Sequence, residues 1–357
     1  MRTPGFWWRA PGLEARLLQP IGAVYGAVTA QRMTRRGVRS ELPVLCVGNF
    51  VAGGSGKTPF AIELGRHLVR MGENPAFLTR GYGGKSRGPT IVDPARHKVP
   101  EVGDEALLLA RHAITIVAKT RSAGARLAEH AGASVIVLDD GLQNSSLAKD
   151  FSFAIVDGET AIGNGLCVPS GPLRAPLAAQ WPFVHAIVTV GSVGAPCRTL
   201  IEEARGQGIS TLRARLVPDP EVVEALRGRT VVAFAGIGRP EKFFASLRAI
   251  GAVLVAEHGF GDHHRFTVNE LRALAAEAGA HDAILVTTEK DMVRVRDVIA
   301  VLEGARNQAH PQHGHAVAPA MNLRELPVRM HIEQETELDK LVARALFMRR
   351  GARLIDG

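Results

Sequence analysis

The junction near residue 50 limits the fold more than any other part of the chain. Residues 43–50, Pro-Val-Leu-Cys-Val-Gly-Asn-Phe, form an apolar run of strand length. A glycine-rich loop follows, and then Phe60, Leu64, Leu68 and Met71 recur at helical spacing. Strand, glycine loop and helix together make one half of a nucleotide-binding unit. The loop residues are Val51, Ala52, Gly53, Gly54, Ser55, Gly56, Lys57 and Thr58. Its glycines let backbone N–H groups turn toward phosphate oxygens. Lys57 adds a point charge at the β/γ-phosphates, and Thr58 offers a hydroxyl to Mg²⁺. The positive end of the following helix points at the same place. The usual loop begins with Gly, and here that position is Val51. A glycine-rich turn that merely carries a lysine is the competing reading, and the flanking strand and helix argue against it.

The rest of the chain repeats this alternation. Strands are expected at 76–79, 114–118, 135–138, 153–156 and 186–190, with helices at 105–112 and 122–131 between them. A second cycle begins near Val217, with strands at 231–235, 253–256 and 283–287, a helix at 240–250 and a last helix over 335–349. Such alternation predicts an α/β protein: a P-loop NTPase-like parallel sheet domain with a second, smaller α/β domain. At 357 residues the chain suits two domains. The boundary is expected near residue 215, giving segments 1–36, 37–215 and 216–357.

Lys and Arg exceed Asp and Glu by 43 − 35 = 8. A solvated surface or an anionic partner would each explain the excess. Aromatic residues are only 5%, thin for base-stacking platforms, so nucleic acid is not expected as a partner. Cys46, Cys167 and Cys197 show no CxxC spacing, which fits a reducing compartment. The apolar stretch from Leu13 to Met33 is broken by Glu14, Arg16, Gln19 and Pro20, so it reads as neither a spanning helix nor a signal peptide. An amphipathic helix is expected there. Phe6, Trp7 and Trp8 at one end, and Arg32, Arg35 and Arg36 at the other, suit a membrane surface. A core helix with a basic end explains the same residues. The His- and Pro-containing stretch 304–322 has no acidic partner and reads as a surface loop rather than a metal site.

Several acids and histidines remain. Asp139 and Asp140 end an apolar strand, the Walker-B arrangement in which a carboxylate faces the phosphate loop and serves Mg²⁺. Asp104 and Glu105 open a helix, where acids also serve as simple caps. Asp262, His263 and His264 precede a capping box, Thr267-Val-Asn-Glu270. With His258 nearby, zinc, proton handling and plain surface polarity are all readings of that group.

Taken together, the motifs identify a family. The chain closely resembles tetraacyldisaccharide 4'-kinase, the lipid A biosynthetic kinase of Gram-negative bacteria. The resemblance rests on Pro4-Gly-Phe-Trp-Trp8, Val47-Gly-Asn-Phe-Val-Ala-Gly-Gly-Ser-Gly-Lys-Thr-Pro59, Arg80-Gly-Tyr-Gly83, Val102-Gly-Asp-Glu105, Asp139-Asp-Gly-Leu-Gln143, Gly163-Asn-Gly165, Pro169-Ser-Gly-Pro-Leu-Arg174, Gly236-Ile-Gly238, Asp262-His-His264 and Thr287-Thr-Glu-Lys-Asp291. The family's own loop lacks Gly where Val51 stands. The resemblance implies transfer of the γ-phosphate of ATP, with Mg²⁺, to the 4'-hydroxyl of a tetraacylated glucosamine disaccharide 1-phosphate. It implies Asp104 as the catalytic base, paired with His263 or His264, the former being the assignment made. Lys57 serves catalysis, and Thr58, Glu105, Asp139 and Asp140 surround the metal. Arg121, Gln143 and Arg174 contact the lipid substrate. The expected setting is peripheral, on the cytoplasmic face of the inner membrane, with no obligate protein partner. Because Asp104 and His263 fall in different expected domains and must meet, closure of the two over ATP is expected. Two departures from the family pattern touch substrate contacts: Leu142 and Asn144 replace an aromatic residue and a His, and Ala175 replaces a Glu.

Two rivals remain. A P-loop GTPase would carry Asn-Lys-x-Asp, whereas Glu289-Lys290-Asp291 lacks both the Asn and the spacer. A non-catalytic nucleotide switch would not need the full set of acids.

Overall fold

The computed structural model describes residues 4–308 and 322–356. The expected loop histidines His310, His313 and His315 lie outside them. The described residues form two compact units, one of residues 4–216 and 330–356, the other of residues 217–308 and 322–329. The sequence reading drew one crossing near residue 215. The chain crosses there and returns at 329/330.

The larger unit opens with helix α1 (Leu13–Met33). Then come β1 (Val44–Gly48), α2 (Lys57–Arg70), β2 (Pro75–Thr79), β3 (Thr90–Ile91), α3 (Val99–Val102), α4 (Asp104–Leu109) and β4 (Ile114–Val117). They are followed by α5 (Arg121–His130), β5 (Val135–Asp139), β6 (Phe151–Asp157), α6 (Leu177–Gln180), β7 (Ala186–Val190), α7 (Ala195–Gly206) and β8 (Ser210–Pro218). The smaller unit holds α8 (Pro220–Leu226), β9 (Thr230–Ala235), α9 (Pro240–Ala249), β10 (Val253–Gly259), α10 (Val268–Ala280), β11 (Ile284–Thr288), α11 (Glu289–Gln308) and β12 (Leu323–Leu326). Strand β13 (Val328–Ile332) and helix α12 (Glu335–Asp356) end the chain.

One sheet has the order β13-β8-β7-β6-β1-β5-β2-β4-β3. From β8 to β4 every neighbouring pair is parallel, and β3 runs antiparallel to β4. Because the order turns at β1, with β5 and β2 on one side and β6 and β7 on the other, the switch point of the sheet lies at the C-terminal ends of β1 and β5. Ligands of doubly wound sheets bind at such switch points. All five residues of β1 and of β5 are buried, as expected of parallel strands covered on both faces. Helix α12 is tied to this unit: His67 Nδ1 lies 2.9 Å from Asp339, and Arg350 makes a two-pronged contact with Glu73.

In the smaller unit the order is β10-β9-β11-β12, all parallel. Alternate residues of β9 face different cores. Val231, Ala233 and Ala235 join Phe243, Phe244 and Leu247 of α9, and Val232 and Phe234 join Leu271 and Leu274 of α10.

Helix α1 departs from the expected pattern. It is apolar on two opposite faces rather than one. Ala15, Gly22, Gly26 and Met33 are buried on one side, while Leu13, Leu17, Ile21, Val24 and Val28 are exposed on the other. Gly22 is required by close approach, because a Cβ there would collide with Ser170 Oγ and sit 2.6 Å from the Cys167 carbonyl oxygen. Small residues thus seat the helix, and the large ones are left in solvent. Among the described residues no helix is long and apolar enough to cross a membrane.

Candidate active site

The phosphate loop joins β1 to α2 at the switch point. Gly56 caps α2 with φ +89°, a left-handed conformation that glycine adopts without strain, and this places Lys57 as the first helical residue. The loop is held from inside by Asn49, which is fully buried. Its Nδ2 donates to Gly53 O and Ser55 Oγ, both at 3.2 Å. From outside, Ala52 N donates to Pro172 O at 2.7 Å and Arg174 N to Phe50 O at 2.9 Å, so the segment 172–174 runs beside the loop's entry.

Asp139 closes β5, and Asp140 follows in a left-handed conformation, φ +51°. Asp140 faces two cations: Lys57 Nζ at 3.6 Å, and Arg174 NH1, 3.0 Å from Oδ1 and 3.1 Å from Oδ2. Burial works against its charge, but Lys57 and Arg174 outweigh it and hold its pKa down at about 2. The neighbouring Asp139 behaves oppositely. Burial, then the negative charges of Glu105 and Asp140, push its pKa up to about 7. Its Oδ1 is buried without a hydrogen-bond partner among the described residues. Arg121, the first residue of α5, is buried too, and desolvation lowers its pKa against the opposing pull of Asp139 and Asp140.

An orphaned carboxylate oxygen with the charges of Glu105 and Asp140 close by fits a hard cation. No group of three or more His, Cys, Asp or Glu among the described residues forms a metal cage. Mg²⁺ does not need one, since it keeps waters and substrate phosphates around one or two carboxylates.

Asp104 starts α4, is 3% exposed, and accepts the Glu105 N–H on its own Oδ1 at 2.9 Å. Gln143, expected at the substrate, directs its amide nitrogen inward, to Asn49 O at 2.7 Å and Gln180 Oε1 at 2.9 Å. Gln180 in turn donates to Ala175 O. Arg174 likewise braces the loop, its Nε donating to Val51 O at 3.2 Å.

In the smaller unit the two histidines separate by environment. His264 stacks on Phe260 and lies 3.0 Å from Glu270 of the capping box, a structural engagement. His263 has φ +57°, with Nε2 3.5 Å from Lys290 Nζ and 3.8 Å from Asp262 Oδ2. His258 pairs with Glu277 at 2.7 Å. Beneath this loop Asp291 and Arg294 form a buried pair at 2.7 Å.

Sequence reasoning gave no role to Asn49, Gln180, Asp291 or Arg294. Asn49 ends an apolar run as a polar residue, and Asp291 lies in a quoted motif, so both had a signal. Gln180 and Arg294 had none, because only the fold shows that they are buried.

Comparison with known proteins agrees over nearly the whole chain. A family model described as tetraacyldisaccharide-1-P 4'-kinase matches residues 14–346. A tetraacyldisaccharide 4'-kinase of Methylobacterium sp. (strain 4-46) is 56% identical over 302 residues, 84% of this chain and 91% of that protein. One from Rhodopseudomonas palustris (strain TIE-1) is 51% identical over 295 residues, 83% of this chain and 86% of that protein. The fold is shared with LpxK from Aquifex aeolicus, crystallised in complex with ATP, at a TM-score of 0.68 and 23% identity, covering 93% of this chain and 99% of that one. The chain belongs to the tetraacyldisaccharide 4'-kinase family.

Proposed function

We propose that the protein transfers the γ-phosphate of ATP to the 4'-hydroxyl of a tetraacylated glucosamine disaccharide 1-phosphate, giving the 4'-phosphorylated lipid A precursor. The observation that carries this reading is the pair of adjacent acids at the end of β5, one clasped by the P-loop lysine and one with an orphaned buried oxygen. Phosphoryl transfer needs positioning and charge neutralisation more than covalent chemistry. Lys57 and the N–H groups of residues 51–58 bind and neutralise the phosphates. Asp140, kept ionised by Lys57 and Arg174, fixes the lysine's direction. Thr58, Glu105, Asp139 and Asp140 would hold Mg²⁺, which when bound neutralises charge on the transferring phosphoryl oxygens. Asp104 accepts the proton of the sugar hydroxyl, and His263 is the histidine that serves proton handling in the reaction. His263 is preferred over His264 because His264 is already engaged by Phe260 and Glu270. Arg121, Gln143 and Arg174 serve the lipid side of the reaction, the last two also bracing the loop.

The acceptor carries acyl chains, so the enzyme works at a bilayer. The exposed row Leu13, Leu17, Ile21, Val24 and Val28 on α1 supports peripheral attachment at the cytoplasmic face of the inner membrane, with Arg32, Arg35 and Arg36 near anionic headgroups. A guanine nucleotide is disfavoured, since Asp291, the acid nearest a guanine-reading motif, is 0% exposed and paired with Arg294. The test is thin-layer separation of lipid products after incubation with γ-labelled ATP or GTP. Label in the disaccharide lipid from ATP supports the reading, and label from neither nucleotide contradicts it.

A further inference from the structure

Gly236 follows β9 directly, and its peptide groups are held on both sides. Its N–H donates to Asp291 Oδ2 at 3.0 Å. Its carbonyl accepts from Arg294 NH1 at 2.6 Å and from the backbone N–H of His263 at 3.2 Å. Asp291 and Arg294 are joined at 2.7 Å, with side chains 0% and 3% exposed. Thr288 Oγ1 adds a third donor to Asp291 at 2.7 Å. A Cβ on Gly236 would lie 3.0 Å from Asp291 Oδ1, 3.2 Å from His264 Cβ and 3.3 Å from Arg294 NH1, so the clamp leaves no slack.

A buried ion pair is a poor device for stability alone, because well-packed apolar residues of the same volume often serve as well or better. What the pair adds here is direction. His263 sits at φ +57°, a conformation rarely adopted by residues other than glycine, so local preference does not hold it there. Its N–H is shared between the Gly236 carbonyl at 3.2 Å and Asp262 Oδ1 at 3.1 Å, and Arg294 fixes that carbonyl.

We propose that Asp291 and Arg294 are positioning residues for His263, acting through the backbone of Gly236. The inference rests on the reading of His263 as a proton-handling residue of the reaction. If the pair served only to fasten α11 to β9, its loss would weaken the fold without selecting the chemical step.

The test is a double-mutant cycle on the full-length enzyme with ATP and the lipid acceptor, using Arg294→Met, His263→Ala and the two combined. Arg294→Met is expected to lower kcat roughly tenfold to a hundredfold, the scale of a misplaced catalytic group, with both KM values within about twofold. Combined with His263→Ala it adds nothing further. The neutral pair Asp291→Asn with Arg294→Gln, which keeps a donor and an acceptor beside Gly236, recovers most of the activity. The imidazole resonance of His263 in histidine-selective NMR shifts in Arg294→Met and returns in the neutral pair. Where Arg294→Met fails to fold, Thr288→Val takes its place in the cycle. A folded variant with wild-type kcat, or losses that multiply across the cycle, overturns the inference. Wild-type kcat in His263→Ala strikes instead at the role of His263, and the clamp then stands or falls on the NMR shift.

Discussion

Arg174 holds Asp140 through a single guanidinium nitrogen, 3.0 Å from one carboxylate oxygen and 3.1 Å from the other, while its Nε donates to Val51 O. One side chain thereby ties the acid after β5 to the first residue of the phosphate loop. Arg174→Met should lower kcat/KM for ATP roughly tenfold to a hundredfold, the worth of a charge-assisted hydrogen bond or two. Arg174→Lys should rescue little, since an ammonium cannot serve both partners in that geometry. Steady-state kinetics with ATP varied at fixed lipid checks this.

Lys57→Ala and Asp104→Ala should each reduce turnover by about two decades or more, the usual range for electrostatic and general-base roles. The two should differ in binding. Lys57→Ala should also weaken ATP, measured by calorimetry, whereas Asp104→Ala should leave ATP affinity near normal. Near-normal turnover in Asp104→Ala would remove it as the base.

Asp139 makes a prediction about pH. Its pKa is raised from 3.8 to about 7, so between these values the folded state keeps a proton that the unfolded chain releases. The contribution of Asp139 to stability therefore falls as pH rises from about 4 to about 7, and then levels off. Asp139→Asn cannot titrate and should flatten that slope. Thermal melts of the metal-free protein across this range, wild type against variant, show whether it does.

The outward face of α1 can be tested without disturbing its seat. Replacing Leu13, Leu17, Ile21, Val24 and Val28 with Gln should abolish flotation with anionic vesicles, each lost side chain removing roughly 1.5–3 kcal/mol of burial in lipid. Tm should hardly change, because these residues are exposed. Gly22→Val should do the reverse and lower Tm, since its Cβ would strike Cys167 O and Ser170.

The phosphate loop, its flanking strand and helix and the acids of β5 were legible in the sequence because each depends on local chemistry. Glycine positions, an apolar run of four and a charged residue at a strand's end are short-range signals. Helix α1 was only half legible. Its composition marked an apolar helix with a basic end, but its burial on small residues depends on Cys167 and Ser170, which lie about 140 positions away in the chain. The inward turn of Gln143 and the burial of Gln180 and Arg294 were not legible at all. A polar side chain looks the same in sequence whether it faces substrate or holds a carbonyl. The return of residues 330–357 to the larger unit is equally long-range, resting on contacts such as Arg350 with Glu73.

This P-loop unit moves phosphate to one hydroxyl of a lipid disaccharide. Phosphorus NMR of the lipid after reaction with ATP tests it most directly. One new monoester resonance, coupled to the 4' position and formed in equal amount to ADP, is predicted for the wild type and is lost in Lys57→Ala. ADP formation without a lipid monoester, or phosphate at a different hydroxyl, would contradict the account.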